Sequence, residues 1–101
     1  MIHLCQNKSQ QAIKTTADFL NIISEENRLR IICFLIKNGQ QCVCEIWKYL
    51  DLPQNLVSHH LKVLRDFELV KFNKIGQRVC YQINQEKLKK YQDIFNQILD
   101  K

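Results

Sequence analysis

The turn Asp51-Leu52-Pro53 constrains this chain more than any other feature. Before it, residues 42–50 place Val43, Ile46, Trp47 and Leu50 on one helical face. After it, Pro53 is expected to open a helix running to about Phe67, with Val57, Leu61 and Leu64 as its buried stripe. Two short amphipathic helices joined so tightly can bury their stripes only against a further layer. Residues 8–23 supply one helix, with Ile13, Ala17, Leu20 and Ile23 (and Thr16) at helical spacing. Ser24 is expected to cap a second helix that ends at Asn38-Gly39, with Leu29, Ile32, Cys33 and Ile36 on one face. Leu69–Phe72 and Arg78–Ile83 read as strands, since Val79, Tyr81 and Ile83 alternate with polar neighbours apart from Cys80. Residues 73–77 are the expected hairpin loop, with Gly76 available for positive φ. Residues 85–100 read as a last helix, with Leu88, Tyr91, Phe95 and Ile98/Leu99 on one side. The order is helix, helix, helix, helix, hairpin, helix. That predicts a mainly α single domain with a β-hairpin wing, a winged helix-turn-helix over residues 1–101, with 1–8 as a flexible arm.

The charge is concentrated behind the turn. The chain of 101 residues carries a formal net charge of +5. Residues 62–90 hold Lys62, Arg65, Lys71, Lys74, Arg78, Lys87, Lys89 and Lys90 against Asp66, Glu68 and Glu86. A basic segment on a folded scaffold suits a polyanion partner, or equally a solubilising face. The helix after the turn narrows the choice. At about 100° per residue, His59 points away from the Val57 stripe, and Asn55, Lys62 and Asp66 share the exposed sector with Ser58 and Arg65 at its borders. His60 lies only about 60° from the centre of the buried face and is expected to pack and hydrogen-bond within the motif. Gln54 and Asn55 begin the helix, where amide side chains read base edges. Ser58, His59 and Lys62 suit bases or phosphates, and Lys74 and Arg78 on the wing suit the adjacent minor groove or backbone. These seven residues are the candidate DNA-reading set, with double-stranded DNA as partner.

No apolar run reaches a membrane span, and residues 1–14 lack the apolar core of a signal peptide. The chain is therefore expected in the cytoplasm without a membrane partner. Five cysteines there do not suggest a disulfide framework. No Gly-rich phosphate loop or Ser/His/Asp arrangement is present, so no enzyme is expected.

Four stretches carry a resemblance. Glu26-Asn27-Arg28-Leu29-Arg30-Ile31, Cys42-Val43-Cys44-Glu45-Ile46, Leu56-Val57-Ser58-His59-His60-Leu61-Lys62-Val63-Leu64-Arg65 and Arg78-Val79-Cys80-Tyr81 together resemble the ArsR/SmtB family of bacterial metal- and metalloid-responsive repressors. The resemblance runs from about residue 15 to 98. It implies a homodimer built on the first and last helices, a palindromic operator, no cofactor for DNA binding, and an inducer that weakens it. Relatives that sense arsenite, cadmium or lead carry a Cys-Val-Cys like Cys42-Val43-Cys44, and thiolates suit soft cations and As(III). A helix N-terminus is expected to favour the thiolate. Residues two apart in a regular helix diverge by about 200°, so one ion reaches both only if the first turn opens. The third cysteine of the arsenic pattern is replaced by Trp47. By the resemblance, the third donor comes from the arm, Cys5, with His3 as a fourth. The implied inducers are As(III), Cd(II) or Pb(II), with Zn(II) as a further candidate, although residues 85–100 lack the histidines of zinc-sensing relatives.

Two alternatives stand beside this reading. Sulfide- and persulfide-responsive relatives use a cysteine placed like Cys33 with a partner on the last helix, where this chain has Asn96. Without a partner, Cys33 is expected in the core, and Cys80 is expected to be structural. The other alternative is a winged-helix DNA-binding protein with no cysteine-based inducer.

Overall fold

The computed structural model describes residues 10–100. The elements are α1 (Gln10–Ile23), α2 (Glu26–Asn38), β1 (Gln41–Cys42), α3 (Val43–Leu50), α4 (Gln54–Asp66), β2 (Val70–Ile75), β3 (Arg78–Ile83) and α5 (Gln85–Leu99). This is the expected winged helix-turn-helix, with one strand added. β1 joins the hairpin to make an antiparallel sheet of order β1-β3-β2.

The helix-turn-helix follows its sequence closely. Val57, Leu61 and Leu64 are fully buried, and they meet Ile46 and Leu50 of α3 and Ile31 and Leu35 of α2 in one cluster. Asp51 closes α3 in the left-handed conformation (φ 56°), and the Leu52 N–H returns to the Trp47 carbonyl at 3.2 Å. Pro53 is the N-cap of α4 rather than its first residue, so the helix starts one residue later than expected, and the Pro53 carbonyl accepts from Val57 N–H at 3.1 Å.

Several local expectations are corrected. Ser24 does not cap α2. Its hydroxyl is spent on the Asn21 carbonyl of the preceding helix at 3.0 Å, and the Glu25 carboxylate accepts from Arg28 N–H at 2.9 Å instead. The α2 stripe also differs. Ile31, Ile32, Phe34 and Leu35 are buried, whereas Leu29 and Ile36 are 45% and 53% exposed. Cys33 is exposed too, not a core residue. The helix is apolar nearly all round from Leu29 to Ile36, so spacing alone could not select its inner face. In α1 the buried groups are Thr16 and Phe19, and Leu20 is 39% exposed. The hairpin is tighter than expected. β2 continues to Ile75, which pairs with Arg78, and only residues 76–77 turn. Gly76 has φ 62° at the first turn position, as a II′ turn asks.

α5 packs back on α1. The Tyr91 ring stacks on Phe19 and on Phe67, each at 5.0 Å between centroids. No α5 residue is fully buried, and Leu99 is 59% exposed.

Candidate nucleic-acid interface and thiol site

α4 presents the face its sequence assigns. Gln54, Asn55, Ser58, His59 and Lys62 are exposed, and Lys62 pairs with Asp66 at 3.4 Å along the helix. His60 is 5% exposed, as expected of a packed residue. Its Nδ1 lies 3.5 Å from Arg28 Nη1, and its Nε2 lies 3.9 Å from the Glu25 carboxylate. Burial foremost, then Arg28 and His59, lowers the His60 pKa against the pull of Glu25, so the ring is held neutral. Lys74 is exposed on β2. Arg65 stacks over the Phe72 ring at 4.8 Å, tying α4 to the wing, a role the sequence did not assign it.

Arg78 is not free at the wing. Its Nη2 donates to Cys44 Sγ at 3.3 Å and lies 3.8 Å from the Glu45 carboxylate. Glu45 in turn accepts from Cys42 N–H at 3.0 Å and so caps α3. Cys42 stands outside the helix, in extended conformation (φ −76°, ψ 154°). The 200° divergence expected of a regular helix therefore does not arise. Cys42, Cys44, Gln54, Ser58 and Arg78 line one open cleft of about 460 Å³. The thiols and two DNA-reading candidates of α4 thus share a wall.

One electrostatic expectation is reversed. The Cys42 thiol is pushed up to about 11, chiefly by its hydrogen bond with the Cys80 thiol and then by burial, with Arg78 pulling the other way. As the N-cap, Cys42 faces the sheet, where a second thiol outweighs the helix dipole. Cys80 is 2% exposed, so its burial is as expected, but its contact with Cys42 was not foreseen. The missing signal is β1, whose pairing lies nearly forty residues away in the chain. Cys5 and His3 lie outside the described residues. Among the described residues, no three His, Cys, Asp or Glu side chains are already gathered as a metal site. The soft donors Cys42 and Cys44, open to a cleft, nonetheless suit a thiophilic ion in kind. No helix among the described residues is long and apolar enough to cross a membrane.

This architecture defines a DNA-binding winged helix-turn-helix protein. Residues 25–71 match the family model of bacterial regulatory proteins, arsR family. An arsenical resistance operon repressor of Staphylococcus xylosus is 37% identical over 87 residues, covering 86% of this chain and 79% of that protein. The cadmium resistance regulatory protein CadC of Listeria innocua is 35% identical over 74 residues, covering 73% of this chain and 62% of CadC. Among solved structures, reduced HlyU from Vibrio cholerae superposes with TM-score 0.72 at 28% identity, covering 86% of this chain and 92% of HlyU. The chain belongs to the arsR family of bacterial regulatory proteins, and is a DNA-binding transcription regulator rather than an enzyme.

Proposed function

We propose that the chain is a dimeric operator-binding repressor, released by a thiophilic metal or metalloid, As(III), Cd(II) or Pb(II), held at Cys42 and Cys44. The observation that carries this is the shared cleft. Cys42 and Cys44 line it with Gln54 and Ser58 of α4 and Arg78 of the wing. An ion bound there acts on DNA-reading groups directly, without a relay through the core. The names of the arsenical and cadmium relatives point to the same ligand class. When bound, the ion would supply a compact positive centre that orders thiolates; Cys42 and Cys44 would hold it, and Glu45 would keep the Cys42 backbone in place.

α4 enters the major groove in this reading, with Gln54, Asn55, Ser58, His59 and Lys62 on the DNA and Lys74 and Arg78 flanking it. Apolar surface on α1 and α5 supports a homodimer, since Leu20 and Leu99 stay exposed and Phe95 and Ile98 are only half-buried. Residues of the arm, Cys5 and His3, are further donor candidates in this reading. A second reading, oxidation or persulfidation at Cys33, is favoured by the exposure of that thiol.

The test is release from a duplex selected from a random-sequence library. Cd(II) or arsenite is expected to release the protein, and Cys42→Ser with Cys44→Ser is expected to bind the duplex normally but ignore the ion. Serine is a good N-cap, so the double variant should keep α3. An unchanged dose response in the double variant would remove Cys42 and Cys44 from the function. Release by a persulfide alone, lost in Cys33→Ser, would transfer it to the second reading.

A further inference from the structure

We propose that Cys80 is the third thiolate of this site, so that Cys42, Cys44 and Cys80 of one chain make a three-sulfur site for a soft cation. The inference rests on the thiol reading above and adds a ligand from the wing.

The register places it. Cys42 of β1 is the direct antiparallel partner of Cys80 of β3. Direct partners point to the same sheet face, with Cα atoms about 4.5–5.5 Å apart. Cys44 is the second residue of α3, just past the paired strand, and its sulfur accepts from Arg78 Nη2 of β3 at 3.3 Å. Cys42 and Cys44 also line one cleft, so the three cysteines gather where β1 and the start of α3 meet β3. Cys80 is 2% exposed and is not part of the main apolar cluster. A metal–sulfur bond of about 2.3 Å in a trigonal or tetrahedral site sets sulfurs about 4 Å apart, a spacing within reach of direct cross-strand partners.

Cys44 is the member that must move. Arg78 holds its sulfur, and no cluster of three ligands is preformed among the described residues. Binding of a dication breaks three S–H bonds, sends three protons to solvent and forms three metal–sulfur bonds, with no change of oxidation state. The site then carries a net charge of −1. Arg78, released from the Cys44 sulfur, remains beside that anion and is less available to a phosphate. This site is complete without residues 1–9.

The test titrates the full chain with Cd(II) alone and reads the thiolate-to-metal charge-transfer absorbance. Cys5→Ser is expected to keep the full intensity, whereas Cys80→Ser should lose about one third of it, since each sulfur contributes a similar share. A full signal in folded Cys80→Ser, or a loss of one third in Cys5→Ser, would overturn the proposal. Should Cys80→Ser fail to fold, X-ray absorption of the Cd(II) complex of Cys5→Ser/Cys33→Ser decides it. Three sulfurs support Cys80 and two overturn it. Two sulfurs that vanish in Cys42→Ser would leave the parent reading intact, whereas no saturable Cd(II) signal in any protein would overturn both.

Discussion

Glu25 and His60 show how much single residues decide here. The Glu25 carboxylate caps α2 and faces His60, and the Arg28 guanidinium lies 3.5 Å from His60 Nδ1 while donating to the Ile22 carbonyl at 2.7 Å. Glu25→Ala should cost about 1 kcal/mol, as loss of an N-cap does. In a domain of this size that lowers Tm by about 4–8 °C. Ser24→Ala, at the residue whose sequence position suggested the cap, should change stability by less than about 0.5 kcal/mol. Calorimetry of the two variants checks the contrast. His60 gives a pH prediction. Its pKa is lowered on folding, mainly by burial, so below about 6.5 the unfolded chain binds more protons than the folded one. Its contribution is full above that pH and is lost as pH falls below it. Thermal melts between pH 7.5 and 5 should show a steeper fall in Tm for the native chain than for His60→Gln. Equal slopes would mean the buried ring carries no such cost.

At the scale of elements, α4 and the wing should separate sequence reading from simple attraction. Gln54 begins α4 on the cleft wall, and Lys74 is an exposed cation on β2. Gln54→Ala should cost about 1–3 kcal/mol at one base position and relax preference there, whereas Lys74→Ala should weaken all duplexes alike and reduce the salt slope by about 1. Binding series over salt and mutated duplexes distinguish these outcomes. The same elements show what was legible. Val57, Leu61 and Leu64 stood out because the residues around them on α4 are mostly polar, so one face was marked and all three are buried. α2 hid its inner face because apolar residues surround it. β1 was invisible, being two residues long and held by β3 from far along the chain. The end of α4 was legible to within a residue, but not its mechanism, since a non-glycine residue, Glu68 (φ 64°), takes the left-handed position there. For the candidate site, Cys42 and Cys44 were visible as a spaced pair. Their cleft, the Arg78 bond and the Cys80 partner depend on a register that no local pattern encodes.

At the scale of the molecule, the two uncovered apolar surfaces of α1 and α5 belong together because these helices pack on each other through Phe19 and Tyr91. Leu20→Glu with Leu99→Glu should shift a dimer to monomers in sedimentation, leave the helical circular dichroism intact, and weaken binding to a palindromic duplex far more than to a single half-site. Sedimentation of the variant as a dimer would move the interface elsewhere. In the proposed function, ion and DNA compete through one cleft. Coupling of this kind is reciprocal. Whatever factor Cd(II) removes from duplex affinity, the duplex must remove from Cd(II) affinity, about 5–150-fold for an ordinary coupling. The decisive measurement is a Cd(II) titration of the protein with and without saturating selected duplex. The predicted result is weaker Cd(II) binding in the complex by that shared factor. The same Cd(II) affinity in both states would rule out a cleft shared by ion and DNA.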